Sequence, residues 1–344
     1  VTTRRTPVPR RARKGSGTMT LDDVARLAKV SAITVSRALN NPDQLSPETL
    51  QRVQRAVERT GYVPNRLAGG LASARSRLVF AIVPTIAGLV FLETVQALTD
   101  ALTAEGYEVV LGQSGYDGAR EDDLLDAIIG RRPDGVILTG VMHSPHGRKR
   151  LAAAGIPIVE TWDLTPTPID MLVGFSHEKV GAAAAEYLVS RGARNPAIIS
   201  ADDYRAGLRR EGFTRQCEKL LGVVPPARLV KAPTTLGRGR RGLAALLERW
   251  PDIDAVFCSS DVLAWGALVE AQARGLEVPG RLKVFGFGDL DFAAELHPAL
   301  STFRVDGTAI GRQAARFVVD RAEGRPIAQR IVDLGFTLMA RDSA

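Results

Sequence analysis

Cysteine is almost absent from this chain: Cys217 and Cys258 are the only two in 344 residues. That excludes a disulfide framework and fits a reducing, cytoplasmic setting. Long apolar runs are missing as well, and none approaches the roughly 18 residues that a membrane-spanning helix needs. Histidine is scarce. His143, His146, His177 and His297 are scattered, with no H-E-x-x-H and no cysteine pair, so neither a metal site nor a cofactor is expected. No G-x-G-x-x-G opens a helix, because Gly286-Phe287-Gly288 runs into Asp289-Leu290-Asp291 rather than a third glycine. No activated Ser or Cys constellation is visible, and an enzyme, such as one acting on a sugar acid, is not expected. The first 17 residues hold no acid and no apolar segment, so they do not read as a secretory signal. That counts against a transport binding protein.

What is present is unevenly charged. The chain carries 45 Lys and Arg against 38 Asp and Glu, a formal net charge of +7. Arg4, Arg5, Arg10, Arg11, Arg13 and Lys14 lie in residues 1–17. Residues 18–76 add eight basic and five acidic residues, leaving the remainder slightly negative. A polyanion-binding head on a near-neutral body is the simplest account. At about 100–200 residues per domain, the length calls for two or three domains.

Residues 1–17 read as a disordered basic arm, which adds phosphate affinity or precedes a true start nearer Met19. Residues 18–63 read as three helices. Thr20 with Asp23 resembles a capping box before Val24, Leu27 and Ala28. Ser31 can cap a second helix of about 32–39, and Ser46-Pro47-Glu48 starts a third that Gly61 ends. Two helices joined by a short turn, with a third behind, describe a helix-turn-helix whose second helix enters the major groove. Arg37 suits guanine bidentately or a phosphate, and Ser31, Thr34 and Ser36 suit phosphate or backbone contacts. Residues 64–76 form a linker. A helix this short is marginal alone, and Gly69 and Gly70 each cost about 1 kcal/mol relative to Ala, so it is expected to fold only on DNA.

From Leu78 onward, short apolar strands alternate with amphipathic helices, which means parallel, doubly wound sheets. Eight strands are expected, at Leu78–Val83, Tyr107–Leu111, Gly135–Leu138, Ile156–Val159, Met171–Val173, Ala197–Ser200, Ala255–Cys258 and Lys283–Phe287. They are too many for one sheet over this length. The body, residues 77–344, therefore divides into two subdomains: one of about 77–174 with 305–330, the other of about 175–304 with 331–344. Ligands of such sheets bind outside the carboxyl ends of the strands, here in a cleft between the halves. Arg205 and Arg209 share a face at one helix start and suit a carboxylate or phosphate.

Thr20-Leu21-Asp22-Asp23-Val24-Ala25, Val30-Ser31, Thr34-Val35-Ser36-Arg37-Ala38-Leu39-Asn40 and Gly61-Tyr62-Val63-Pro64-Asn65-Arg66-Leu67-Ala68 resemble the head of the LacI/GalR (lactose-repressor) family. The resemblance continues through the body. It implies an N-terminal all-α helix-turn-helix head and a periplasmic-binding-protein-like α/β body of two doubly wound subdomains. It implies a homodimeric or tetrameric transcription regulator on a palindromic operator, with no membrane association, located in the cytoplasm at the nucleoid. Thr20, Asn40, Tyr62, Asn65, Arg66 and Ala68 join the DNA-binding set through these motifs. Ala32 and Ile33 are apolar where some members carry polar base readers, which suggests contact with thymine methyls. The family places Leu71 as a wedge in the minor groove; packing on the partner's hinge is the other role open to it.

The resemblance also implies an effector in the cleft and matches Arg209 to an effector-binding arginine. Gly288 stands where most members carry an aspartate, and Ser260, before Asp261, stands where Asn is common. Losing a carboxylate favours an anionic ligand, unless Asp289 or Asp291 points inward. Gly115-Tyr116, Gly135-Val136-Ile137-Leu138-Thr139, Val173-Gly174-Phe175, Val256-Phe257-Cys258 and Leu334-Gly335-Phe336-Thr337-Leu338 are most similar to the gluconate-repressor branch, implying gluconate or a related aldonic acid. A neutral or phosphorylated sugar is the alternative. Phe91 and Trp162 are expected to stack on the carbon chain and Glu160 to accept hydroxyls. Ser260, Asp261 and Asp289 complete the expected effector set.

Overall fold

The computed structural model describes residues 19–63, 76–116, 118–142 and 144–344. Asn65, Arg66, Ala68, Leu71, His143 and the 1–17 arm lie outside the described residues. The chain forms two compact units, one holding the described residues 19–63 and the other residues 76–344.

In the first unit, α1 (Leu21–Ala28), α2 (Ala32–Asn40) and α3 (Pro47–Thr60) each start at a side-chain cap. The Asp23 amide donates to Thr20 Oγ1 at 3.3 Å, and the Asp23 carboxylate accepts from the Thr20 amide at 3.0 Å, the reciprocal pair of a capping box. The Thr34 amide donates to Ser31 Oγ at 3.1 Å. Ser46 caps α3 ahead of Pro47, and Gly61 closes it in the left-handed conformation. Val24, Ala28, Val35, Ala38, Val53 and Ala56 form the core of this three-helix unit.

The second unit contains two parallel sheets. The first comprises β1 (Leu78–Val83), β2 (Glu108–Gln113), β3 (Gly135–Thr139), β4 (Ile158–Thr161), β5 (Met171–Gly174) and β11 (Ile331–Asp333), in the order β11-β5-β4-β3-β1-β2. The second comprises β6 (Pro196–Ala201), β7 (Ala227–Val230), β8 (Ala255–Cys258) and β9 (Lys283–Phe285), in the order β7-β6-β8-β9. β10 (Thr302–Arg304) and β12 (Thr337–Met339) pair antiparallel beside them. The helices are α4 (Leu92–Ala104), α5 (Gly118–Ile129), α6 (Pro145–Ala153), α7 (His177–Ser190), α8 (Tyr204–Leu221), α9 (Leu236–Arg249), α10 (Asp261–Ala273) and α11 (Gly307–Ala322). None of the described helices is long and apolar enough to cross a membrane.

The chain passes between the two halves after β5, between β10 and α11, and after β11. β11 pairs with β5 through Ile331↔Leu172 and Val332↔Val173. The expected crossing at residue 331 therefore moves to just after Asp333. β7, β10, β11 and β12 were not expected: three are only three residues long, and β7 is an edge strand, exposed through Leu229. α7 and α8 pack so closely that a Cβ on Gly181 would run into the Arg209 carbonyl, and one on Gly212 into the Glu178 carbonyl. This crossing fixes the start of α8 against the start of α7.

Candidate nucleic-acid interface and ligand cleft

The N-terminal part of α2 is open to solvent. Ile33 is 72% exposed, and Arg37, one turn on, is exposed too. Thr34 and Ser36 are half-buried beside them, and Ala32 packs partly on the head core. Several of the expected contact groups already have local partners. Thr20 and Ser31 are engaged as caps, and Asn40 Nδ2 folds back to donate to the Ser36 carbonyl at 2.9 Å. Tyr62 lies half-buried against the head core. The freely presented pair is thus one apolar and one guanidinium side chain at i, i+4, a pattern suited to a thymine methyl beside a guanine edge or a phosphate.

Between the two parallel sheets lies a cleft, part of it open to solvent. Its lining includes Phe91, Trp162, His177, Arg205, Arg209 and Phe287. Arg209, on α8, is buried. Its Nη2 donates to the Ser259 carbonyl at 3.0 Å, its Nη1 lies 2.8 Å from His177 Nδ1, and its guanidinium sits 4.2 Å over the Phe287 ring. Nε has no partner among the described residues, and no ion pair joins Arg209 to any described carboxylate. Burial lowers its pKa to about 10, so it remains charged at neutral pH. Burial, reinforced by Arg209 and Arg205, holds His177 well below the usual histidine range, so that ring is neutral. Arg205 Nη1 reaches across the cleft to the Thr139 carbonyl at 3.2 Å, and its guanidinium lies 5.1 Å from the Phe91 ring centre. Phe91 meets Trp162 edge-on at 5.2 Å. Asp203 caps α8 through the Ala206 amide and is the one carboxylate among the lining residues. The lining is therefore net cationic and aromatic, a setting for an anion with an apolar edge.

Residues 20–65 match the family model for bacterial regulatory proteins of the lacI family, and residues 185–344 match the periplasmic binding protein-like domain. The HTH-type transcriptional regulator GntR of Pseudomonas aeruginosa is 40% identical over 331 residues, covering 95% of this chain and 96% of that protein. The chain belongs to the LacI family. It is a DNA-binding transcriptional regulator and not an enzyme. Among solved structures, a LacI-family transcriptional regulator from Silicibacter pomeroyi superposes with a TM-score of 0.89 at 34% identity, covering 94% of this chain and 99% of its own. The transcription regulator GntR from Chromobacterium violaceum gives a TM-score of 0.74 at 36% identity, covering 77% and 98%.

The structure of this LacI-family regulator sorts the expected effector residues into two groups. Phe91, Trp162, Arg205, Arg209 and Ser260 line the cleft. Glu160, Asp261 and Asp289, also expected to bind effector, are not among the lining residues. Glu160 is fully buried and spends its oxygens on the Met142 and Ile169 amides at 2.9 and 2.8 Å, tying two loops together. Asp261 accepts from Thr302 Oγ1 at 2.6 Å and from the Leu290 amide at 2.8 Å. Burial pushes its carboxyl up to about 6. Asp289 is paired with Arg341 at 2.6 Å. Gly288 has a φ of +132°, and a Cβ there would face Asp261 Oδ2 at 3.5 Å. An aspartate at 288 would bring a second carboxylate against the first.

Sequence reasoning missed three features of the cleft. Phe287, at the end of a strand and in a loop expected at the cleft but with no role assigned to its side chain, forms the platform under Arg209. The loop holding Ala232, Pro233 and Thr234 follows β7, a strand without a sequence signal, and lines the cleft. His177 is, in sequence, one of four scattered histidines. The available signal was its place in Phe175-Ser176-His177, where a serine cap follows an apolar strand and puts the next residue at a strand-to-helix turn facing the cleft.

Proposed function

We propose that this regulator is a repressor of sugar-acid catabolism genes, released from its operator by gluconate or a closely related aldonic acid bound in the cleft. The observation that carries the reading is the buried Arg209 guanidinium, charged, stacked on Phe287 and without a carboxylate partner among the described residues. A buried charge lacking a counterion is costly, and an anionic ligand relieves that cost. One carboxylate fits Arg209 with Arg205 beside it. A polyhydroxyl chain then runs past Phe91 and Trp162 toward Ser260, Thr234 and Tyr116. The naming of two relatives as GntR supports the same branch.

In this reading residues 18–63 bind DNA and the segment 64–76 is a hinge. The body, residues 77–344, binds effector and forms the homodimer. Two heads, held one helical turn or so apart, meet the halves of a palindromic operator. Arg37 and Ile33 read the major groove, with Ser31, Thr34, Ser36 and Ala32 around them. Asn65, Arg66, Ala68 and Leu71 contact the minor groove side, where Leu71 is the wedge. The protein acts in the cytoplasm, at the nucleoid. The test is fluorescence anisotropy on DNA from upstream of the protein's own gene, at fixed salt, with and without D-gluconate. Tight binding lost on adding gluconate is expected. Tight binding indifferent to gluconate would discard the effector and keep the repressor.

A further inference from the structure

The effector arginine is not held by the α8 backbone alone, and the group that holds it also touches the other half of the body. A guanidinium can only donate, so the 2.8 Å contact from Arg209 Nη1 makes His177 Nδ1 an acceptor. In a neutral ring the proton then sits on Nε2, which donates to the Trp162 carbonyl at 2.9 Å. His177 opens α7, in the four-stranded half. Trp162 follows β4, in the six-stranded half.

Trp162 is itself unusual. Its φ is +61°, the left-handed region that a bulky aromatic rarely enters. Its indole N–H donates to Thr94 Oγ1 at 3.0 Å, and that hydroxyl donates onward to the Gly307 carbonyl at 3.0 Å. Thr94 belongs to α4 and is not among the residues lining the cleft. Gly307 is the first residue of α11, immediately after the chain crosses between the halves. Donor and acceptor roles are settled at every step, so Arg209, His177, Trp162, Thr94 and Gly307 form one directional line. It runs from the anion site to a crossover.

We infer that His177 is a positioning residue with two separate duties: Nδ1 fixes the guanidinium that receives the effector, and Nε2 couples that guanidinium through Trp162 and Thr94 to the crossover at Gly307. The inference rests on the effector reading above only for its ligand. Its geometric content concerns the free protein.

The two duties separate by substitution. In His177→Asn the amide sits near the Nδ1 position, keeping an acceptor for Arg209 but falling short of the Trp162 carbonyl. In His177→Gln the amide sits near the Nε2 position, keeping the Trp162 bond but leaving Arg209 without its acceptor. Gluconate affinity is read by calorimetry. Coupling is read as the ratio of operator Kd with saturating gluconate to that without. Gln is expected to weaken gluconate binding at least tenfold more than Asn does, and Asn to reduce the coupling ratio at least tenfold more than Gln. Thr94→Val is expected to keep gluconate Kd within threefold while lowering the coupling ratio at least tenfold, and Thr94→Ser to restore it. A Thr94→Val protein that folds and couples like the parent overturns the relay, as does the opposite ordering of Asn and Gln. Nitrogen-15 spectra of the ligand-free parent supply a readout independent of any effector and of any variant that fails to fold. A protonated Nε2 and an unprotonated Nδ1 are expected, and the other tautomer or a charged ring overturns the inference. If gluconate does not bind the parent at all, the effector assignment fails, while these spectra still decide the geometry of His177.

Discussion

In the proposed function, Arg209 is where single-residue chemistry bears most directly on response. Its planar guanidinium stacks on Phe287 while donating to His177 and Ser259, a set of contacts that a flexible ammonium does not reproduce. Arg209→Lys is expected to weaken gluconate binding about thirtyfold, the roughly 2 kcal/mol of a charge-assisted pair, with operator affinity in the absence of effector unchanged. Titration calorimetry against D-gluconate checks this, and an affinity within a factor of three of the parent contradicts it. Asp261 makes the opposite kind of contribution. Its folded pKa, about 6, lies above the ordinary carboxylate value because burial outweighs the bonds from Thr302 and Leu290. The stability gained from protonating it is fully present below the unfolded pKa and is lost as pH rises through about 6. Asp261→Asn removes that dependence. Between pH 7.5 and pH 5 the thermal midpoint of the parent is expected to rise relative to the Asn variant, and parallel curves for the two proteins would refute it. His177 titrates in the opposite sense, but both proteins share it, so it cancels in the comparison.

Elements were legible where local chemistry is self-sufficient. Thr20, Ser31 and Ser46 each cap the helix that the residues near them foretold, because a cap is satisfied within three residues of chain. The alternation of apolar strands with helices carried both parallel sheets for the same reason. The short strands were not legible. β10, β11 and β12 exist only because distant segments supply their partners, and Ala227–Val230 carries a charge and an exposed edge like any loop. The direction of a carboxylate was not legible either. Glu160, Asp261 and Asp289 stand at strand ends, where a cleft ligand and a neighbouring loop amide offer the same hydrogen bonds to the same side chain. Only the folded loops show that backbone amides and Arg341 claimed them. The α7–α8 crossing, by contrast, gives a sharp expectation at this scale. Gly181→Ala places a methyl against the Arg209 carbonyl, so the helices must separate. A loss of about 1–3 kcal/mol is expected in urea unfolding, together with weaker gluconate binding, because the displaced carbonyl belongs to Arg209, the arginine proposed to receive the effector. Unfolding that matches the parent would mean the helices have slack that the geometry does not show.

At the scale of the whole molecule, the cleft and the helix-turn-helix belong to separate compact units, and in the proposed function their communication is a coupling free energy. Such a coupling is reciprocal. If gluconate weakens operator binding by some factor, operator must weaken gluconate binding by the same factor. The head's charge adds an experimental constraint. Six basic residues precede residue 18, and each phosphate they neutralise steepens the salt dependence of DNA binding. Comparison at unequal salt would therefore mix an electrostatic change with the allosteric one. At one fixed ionic strength the two measurements close a cycle: gluconate Kd with and without saturating operator, and operator Kd with and without saturating gluconate. The two ratios are expected to agree within twofold. If the arm adds phosphate affinity, removing residues 1–17 is expected to lower operator affinity and the salt slope while leaving both ratios intact. Ratios that disagree, or that change when the arm is removed, would mean that gluconate acts on the head's contacts with DNA directly rather than through a shift between two states of the body.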